Sequence, residues 1–142
     1  MNKRLLVCAC LLVVFVVGCG KGFVGLSGRI TYSDTGEPLE KGTVALTNDL
    51  IMARGVIGAD GKYVIGSFTA GDGLPPGTYK VYITDAVQLV GEPPKPGTPG
   101  PSKMPEIIPL IDRKYASPDT SGMTLEVTAK TKTFDFQVDR AK

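Results

Sequence analysis

Val56-Ile57-Gly58-Ala59-Asp60-Gly61-Lys62-Tyr63-Val64-Ile65 holds the sharpest backbone signal in the chain. Asp-Gly between apolar flanks is a strong short-range hairpin signal, because a two-residue loop needs φ > 0 at both central positions. With Asp60 and Gly61 as that loop, Ala59 faces Lys62 and Val56 faces Ile65. Val56, Tyr63 and Ile65 then share one face, and Ile57 and Val64 share the other. Both faces are apolar, so alternation alone does not choose the inner side. A strand in mid-sheet, covered on both sides, suits the pattern.

The same two-residue period recurs on either side, and no stretch beyond residue 20 keeps helical spacing over eleven residues. Upstream, Val24, Leu26, Ile30 and Tyr32 fall on one face, with Ser27, Arg29 and Thr31 opposite. Asp34, Gly36 and Pro38 follow as turn residues. Val44 and Leu46 mark a second strand, and a third covers about Ile51 to Gly58. Downstream, Pro75-Pro76-Gly77 makes a stiff corner into a strand with Tyr79, Val81 and Ile83 on one face. Residues 91–109 hold seven of the 11 prolines and read as a long loop outside any sheet interior. Residues 110–122 are turn-rich. Met123, Leu125 and Val127, then Phe134, Phe136 and Val138, form two closing strands, expected to pair as a hairpin. About seven short strands without helices between them predict an all-β, antiparallel β-sandwich in one domain, residues 23–142.

The order of these motifs resembles the carboxypeptidase-regulatory-like domain family, which has a transthyretin-like (prealbumin-like) sandwich. Gly28, Pro38, Gly42, Asp60-Gly61-Lys62-Tyr63 and Pro76-Gly77-Thr78-Tyr79 carry the likeness, and the tail resembles that of small bacterial lipoproteins built on such a domain. The Pro-rich segment has no counterpart. The resemblance implies a structural or binding module without catalysis. It assigns Tyr79 a core position behind the Pro-Gly corner, with its hydroxyl reaching a partner at the edge.

The N-terminus bears on location. Lys3 and Arg4 precede thirteen apolar residues, Leu5 to Val17, the n- and h-regions of an export signal. The run is short of the roughly 20 residues that span a bilayer comfortably. Val16-Val17-Gly18-Cys19 resembles the lipobox of bacterial lipoproteins. That likeness implies cleavage after residue 18, a lipid on Cys19 and a short tether at 19–22. A plain signal peptide and an uncleaved anchor are the alternatives. More than one acyl chain anchors stably. Gly20, where Asp would hold a lipoprotein at the inner membrane, favours the outer one. Cys8 and Cys10 leave with the signal, so no thiol remains for a disulfide or a metal.

Composition narrows the chemistry. The chain has no histidine, which removes the commonest general base, metal ligand and triad member. Without Lys3 and Arg4 the basic and acidic side chains balance at 14 each, and no basic stripe invites nucleic acid. The enzymatic relative of the transthyretin fold depends on histidines. Ser102-Lys103 lies in the Pro-rich loop, a poor place for a nucleophile. Asp34, Asp60, Asp72 and Asp119 each stand in a turn, and lone turn aspartates make turns more readily than calcium sites. Lys41 and Asn48 are near in sequence, but the first strand has no lysine and no amide crosslink is expected. Pro93, Pro96 and Pro99 offer P-x-x-P spacing, also the spacing of a stiff spacer.

The expectation is a membrane-anchored, exported, non-catalytic envelope module with no metal and no cofactor beyond the lipid, and with a protein partner. The alternative is a module that binds a glycan or cell-wall component, read by exposed tyrosines. Tyr82 and Tyr115 are the tyrosines expected at the surface.

Overall fold

The structure is a computed structural model and describes residues 22–91, 96–97 and 104–142. The export signal, Cys19, Ser102-Lys103 and most of the P-x-x-P spacing lie outside the described residues.

Nine strands follow one another among them: β1 (Ser27–Tyr32), β2 (Thr43–Thr47), β3 (Met52–Val56), β4 (Lys62–Val64), β5 (Gly77–Thr84), β6 (Val87–Val90), β7 (Glu106–Pro109), β8 (Met123–Val127) and β9 (Phe136–Val138). A single 3-10 turn, Arg113–Ala116, stands before β8. One sheet has the order β4-β1-β9, a second β3-β2-β5-β8, and β6-β7 make a separate two-stranded ribbon. The pairings are antiparallel, except that β9 runs parallel to β1. The fold is an all-β sandwich, as the alternation demands.

The apolar faces meet between the sheets. Leu26, Ile30, Tyr63, Ile65 and Val138 from one side pack with Val44, Leu46, Tyr79, Val81 and Ile83 from the other, all essentially excluded from water. Each such burial contributes about 1.5–3 kcal/mol. The Tyr79 ring sits inside, and its hydroxyl donates to the Pro75 carbonyl at 2.8 Å. The corner thus gains a bond from the side chain that it delivers to the core.

Three expectations change. The Asp60-Gly61 loop is one residue longer than a two-residue turn. Gly61 N–H donates to Gly58 C=O and Gly58 N–H to Lys62 C=O, both at 2.9 Å, and Gly61 takes φ +77°. Gly58 therefore faces Lys62, and Ile57, Tyr63 and Ile65 share the inner face. Val56 and Val64 both point out, 76% and 57% exposed. A slip of one residue exchanges the faces of a strand, and here it decides which valine is core. Moreover β3 and β4 share no ladder. The turn crosses from one sheet to the other, and beyond β4 the chain exchanges backbone hydrogen bonds with β3 between Arg54 and Gly66 at 2.8 Å.

The closing strands do not form a hairpin either. β8 pairs with β5, and β9 crosses over to β1. Finally, the segment expected as loop to residue 109 ends in β7. Residues 106–108 have N–H groups to donate, and Pro109 occupies the last register position opposite Val87. The ribbon stands at the periphery, with β7 exposed along its length.

Candidate functional surface

β5 alternates, so Tyr79, Val81 and Ile83 go inward and Thr78, Lys80, Tyr82 and Thr84 go outward. The register sets Tyr82 beside Ala45 of β2, and Ala45 beside Arg54 of β3. Ala45 is buried although it lies on the outer face, because its two large neighbours close over it. Met52 adds its thioether, with Sδ 3.1 Å from an Arg54 guanidinium nitrogen and 3.9 Å from the Tyr82 hydroxyl. Tyr82 is thus half-buried in a small outward cluster of Met52, Arg54 and Ala45. Along the same strand Lys80 bonds Asp119 at 2.8 Å, which raises the lysine pKa and lowers that of the carboxylate.

Tyr115 is not at the surface, contrary to its sequence reading. It is the one buried residue of the 3-10 turn, 8% exposed, and its hydroxyl donates to Asp139 Oδ2 at 3.0 Å. Asp112 starts the turn by accepting from the Lys114 N–H, which rolls the ring inward. Asp139 also takes Lys114 Nζ at 2.6 Å and Ser33 Oγ at 2.6 Å. These bonds, that of Lys114 first, hold its carboxyl down to about 2 from the ordinary 3.8.

Next to this knot, Tyr32, Glu37, Pro38, Glu40, Lys41, Gln88, Leu110 and Arg140 line an open cleft of about 510 Å³. Its guanidinium is already engaged. Arg140 stacks 3.7 Å over the Tyr32 ring and bonds Asp34 at 3.1 Å and Glu37 at 2.7 Å. Arg140 therefore closes the β1–β9 end of the sandwich. Burial raises the Tyr32 phenol pKa, and Arg140 opposes the shift.

The turn aspartates have structural duties. Asp34 serves Arg140. Asp60 accepts the Lys62 N–H, which lowers its pKa. Asp72 gathers the N–H groups of Ser67, Phe68 and Thr69. Asp119 serves Lys80. No group of three or more His, Cys, Asp or Glu side chains suited to a metal occurs among the described residues. Asn48 caps the β2–β3 turn through the N–H groups of Leu50 and Ile51, while Lys41 precedes β2, so the strand separates this pair.

An apolar exposed seam lies between β3 and β4, where alternation alone left the inner side open. Val56 and Val64 flank a crevice of about 530 Å³, with Arg54, Gly55, Gly58, Lys62, Tyr63, Ala70 and Gly71 around it. Beneath it Tyr63 is buried, its phenol pKa raised mainly by desolvation, and its hydroxyl donates to the Phe134 carbonyl across Gly28. The local signal for this seam was Gly58, one residue before the Ala-Asp-Gly, which allows the longer turn.

No family model matches the chain, and no curated protein matches it. Among solved structures it is similar to the crystal structure of the major pilin subunit of Bacillus cereus, at TM-score 0.45 and 13% identity. The alignment covers 85% of this chain and 30% of the pilin, so the chain spans under a third of that protein's length. A likeness this shallow carries no argument about function.

Proposed function

We propose that the chain is an exported, lipid-anchored module of the bacterial envelope, of carboxypeptidase-regulatory-like, transthyretin-like type, which binds a protein partner through its β-sandwich and performs no catalysis. The anchor reading rests on Val16-Val17-Gly18-Cys19 at the end of the apolar run. The partner reading rests on one observation, the exposed Val56–Val64 seam between two strands of different sheets. Apolar side chains beside a sheet edge suit an inserted apolar side chain or an added strand.

The absence of catalysis is supported by what the perturbed groups do. The displaced carboxylates and lysines serve surface pairs and turns, and Tyr63 is held against a backbone carbonyl. The glycan reading retains Tyr82 alone, since Tyr115 is turned inward.

Two experiments test this. Metabolic labelling with a palmitate analogue should mark the wild type and not Cys19→Ser; label retained in the variant overturns the anchor. Crosslinking in envelope preparations should give a defined adduct that Val56→Asp or Val64→Asp removes and Tyr82→Ala leaves. Glycan-array binding abolished by Tyr82→Ala would replace the protein-partner reading with its rival.

A further inference from the structure

The strand directions bring one set of exposed side chains to the end of the sandwich where the N-terminal segment enters. Val24 exchanges backbone hydrogen bonds with Leu74, at 2.8 and 3.1 Å, which pins the entry point to the Leu74–Pro76 corner. Phe23, just before it, meets Phe68 edge to face with ring centroids 5.8 Å apart. Phe68 is 78% exposed on a loop made rigid by Asp72, whose carboxylate takes the N–H groups of Ser67, Phe68 and Thr69 at 2.6, 3.1 and 3.0 Å. The loop thus presents a phenyl ring to solvent by construction.

The neighbouring turns belong to the same end. Arg54 pairs with Gly66, so the start of β3 and the β2–β3 turn lie toward the Phe68 loop, and that turn carries Leu50, 93% exposed. Ser27 N–H donates to Lys132 C=O at 3.1 Å, which brings the β8–β9 connection, with exposed Lys130 and Lys132, to this end too. Of the acids there, Asp72 is occupied by its three backbone bonds, and Asp49 and Glu126 are exposed.

We propose that this end is a membrane-seating face: Phe23, Phe68 and Leu50 enter the interfacial layer of the bilayer that holds the Cys19 lipid, with Lys130 and Lys132 toward the lipid phosphates. The inference rests on the lipid-anchored reading. The occupant follows from the tether. Four residue steps from Cys19 to Phe23 reach at most about 14 Å. The polar layer on each side of a bilayer is itself about 5–8 Å deep, so the anchor keeps this end close to the membrane. Apolar and aromatic side chains backed by lysines are the composition that lies in that layer.

The chain has no tryptophan, so a single introduced indole reports alone. Full-length, lipidated Phe68→Trp and Leu50→Trp are reconstituted in vesicles, with Ala59→Trp as control. Ala59 lies in the β3–β4 turn, about 20 Å away along β1. The expected result is emission shifted to shorter wavelength, and quenched by lipids brominated near the headgroup, for Phe68→Trp and Leu50→Trp but not for Ala59→Trp. Protein that floats with the vesicles while both probes stay unquenched overturns the seating face and leaves the anchor standing. Protein that does not float overturns the anchor, and this face with it. A shift that follows protein concentration and not lipid means a second copy covers the patch, and also overturns the proposal.

Discussion

Gly28 and Tyr63 work as one unit. A Cβ on Gly28 would stand 2.0 Å from the Phe134 carbonyl oxygen and 2.7 Å from the Tyr63 hydroxyl, so only glycine lets that hydroxyl reach across β1 to β9. Gly28→Ala is expected to cost about 3 kcal/mol, the upper end of overpacking. Tyr63→Phe should cost about 1 kcal/mol, one net hydrogen bond. Urea denaturation of both variants checks the order. Asp139 gives a pH test. Its pKa is lowered in the folded chain, so its contribution is complete above the ordinary 3.8 and disappears as pH falls through about 2. Asp139→Asn should therefore melt below the wild type at pH 6, with the two curves converging near pH 2. Thermal melts across that range would show it. The inward face of Tyr79 was legible from alternation, and Gly28 only through the family resemblance. The inward roll of Tyr115 was not, because it depends on Asp139, which is 24 residues away in sequence.

The β3–β4 turn shows what a local motif leaves open. Asp-Gly fixes Gly61 at positive φ in either turn, and one residue of loop length then exchanges the strand faces. The structure makes Ile57 core and Val56 surface. Ile57→Ala should cost about 2–5 kcal/mol, and Val56→Ala at most about 0.5 kcal/mol. The two-residue turn demands the reverse placement of Val56, so denaturant midpoints for the pair discriminate directly. Gly61→Ala should cost about 2 kcal/mol, because φ +77° strains an L-residue and its Cβ would lie 2.6 Å from the Ile30 carbonyl. Strands β1, β5 and β8 were legible because each has one wet and one dry face, and β2 because Val44 and Leu46 alternate with threonines although Ala45 is covered as well. β7 was not, since the prolines around it signal loop and the ribbon it joins is exposed on both sides.

Over the whole molecule, alternation establishes the sandwich but says nothing about which strands neighbour each other. The partition of β3 from β4 and of β8 from β9 between sheets is set by how the core closes, and no short motif encodes it. The candidate surface was legible only in part, because exposure is a property of the assembled sheets: Tyr82 remained outside, Tyr115 did not, and the Val56–Val64 seam emerged with the corrected register. The parallel β1–β9 pair has a consequence for biogenesis. One edge of the first strand pairs with β4, but the other finds its companion only in residues 136–138, and contacts such as Arg29 N–H to Asp135 Oδ1 span 106 positions. Long-range closures of this kind are slow. On the exported reading proposed above, a chain crossing a membrane N-terminus first holds that edge of β1 bare until nearly all of it has passed, so the three-stranded sheet closes only once transport is nearly complete.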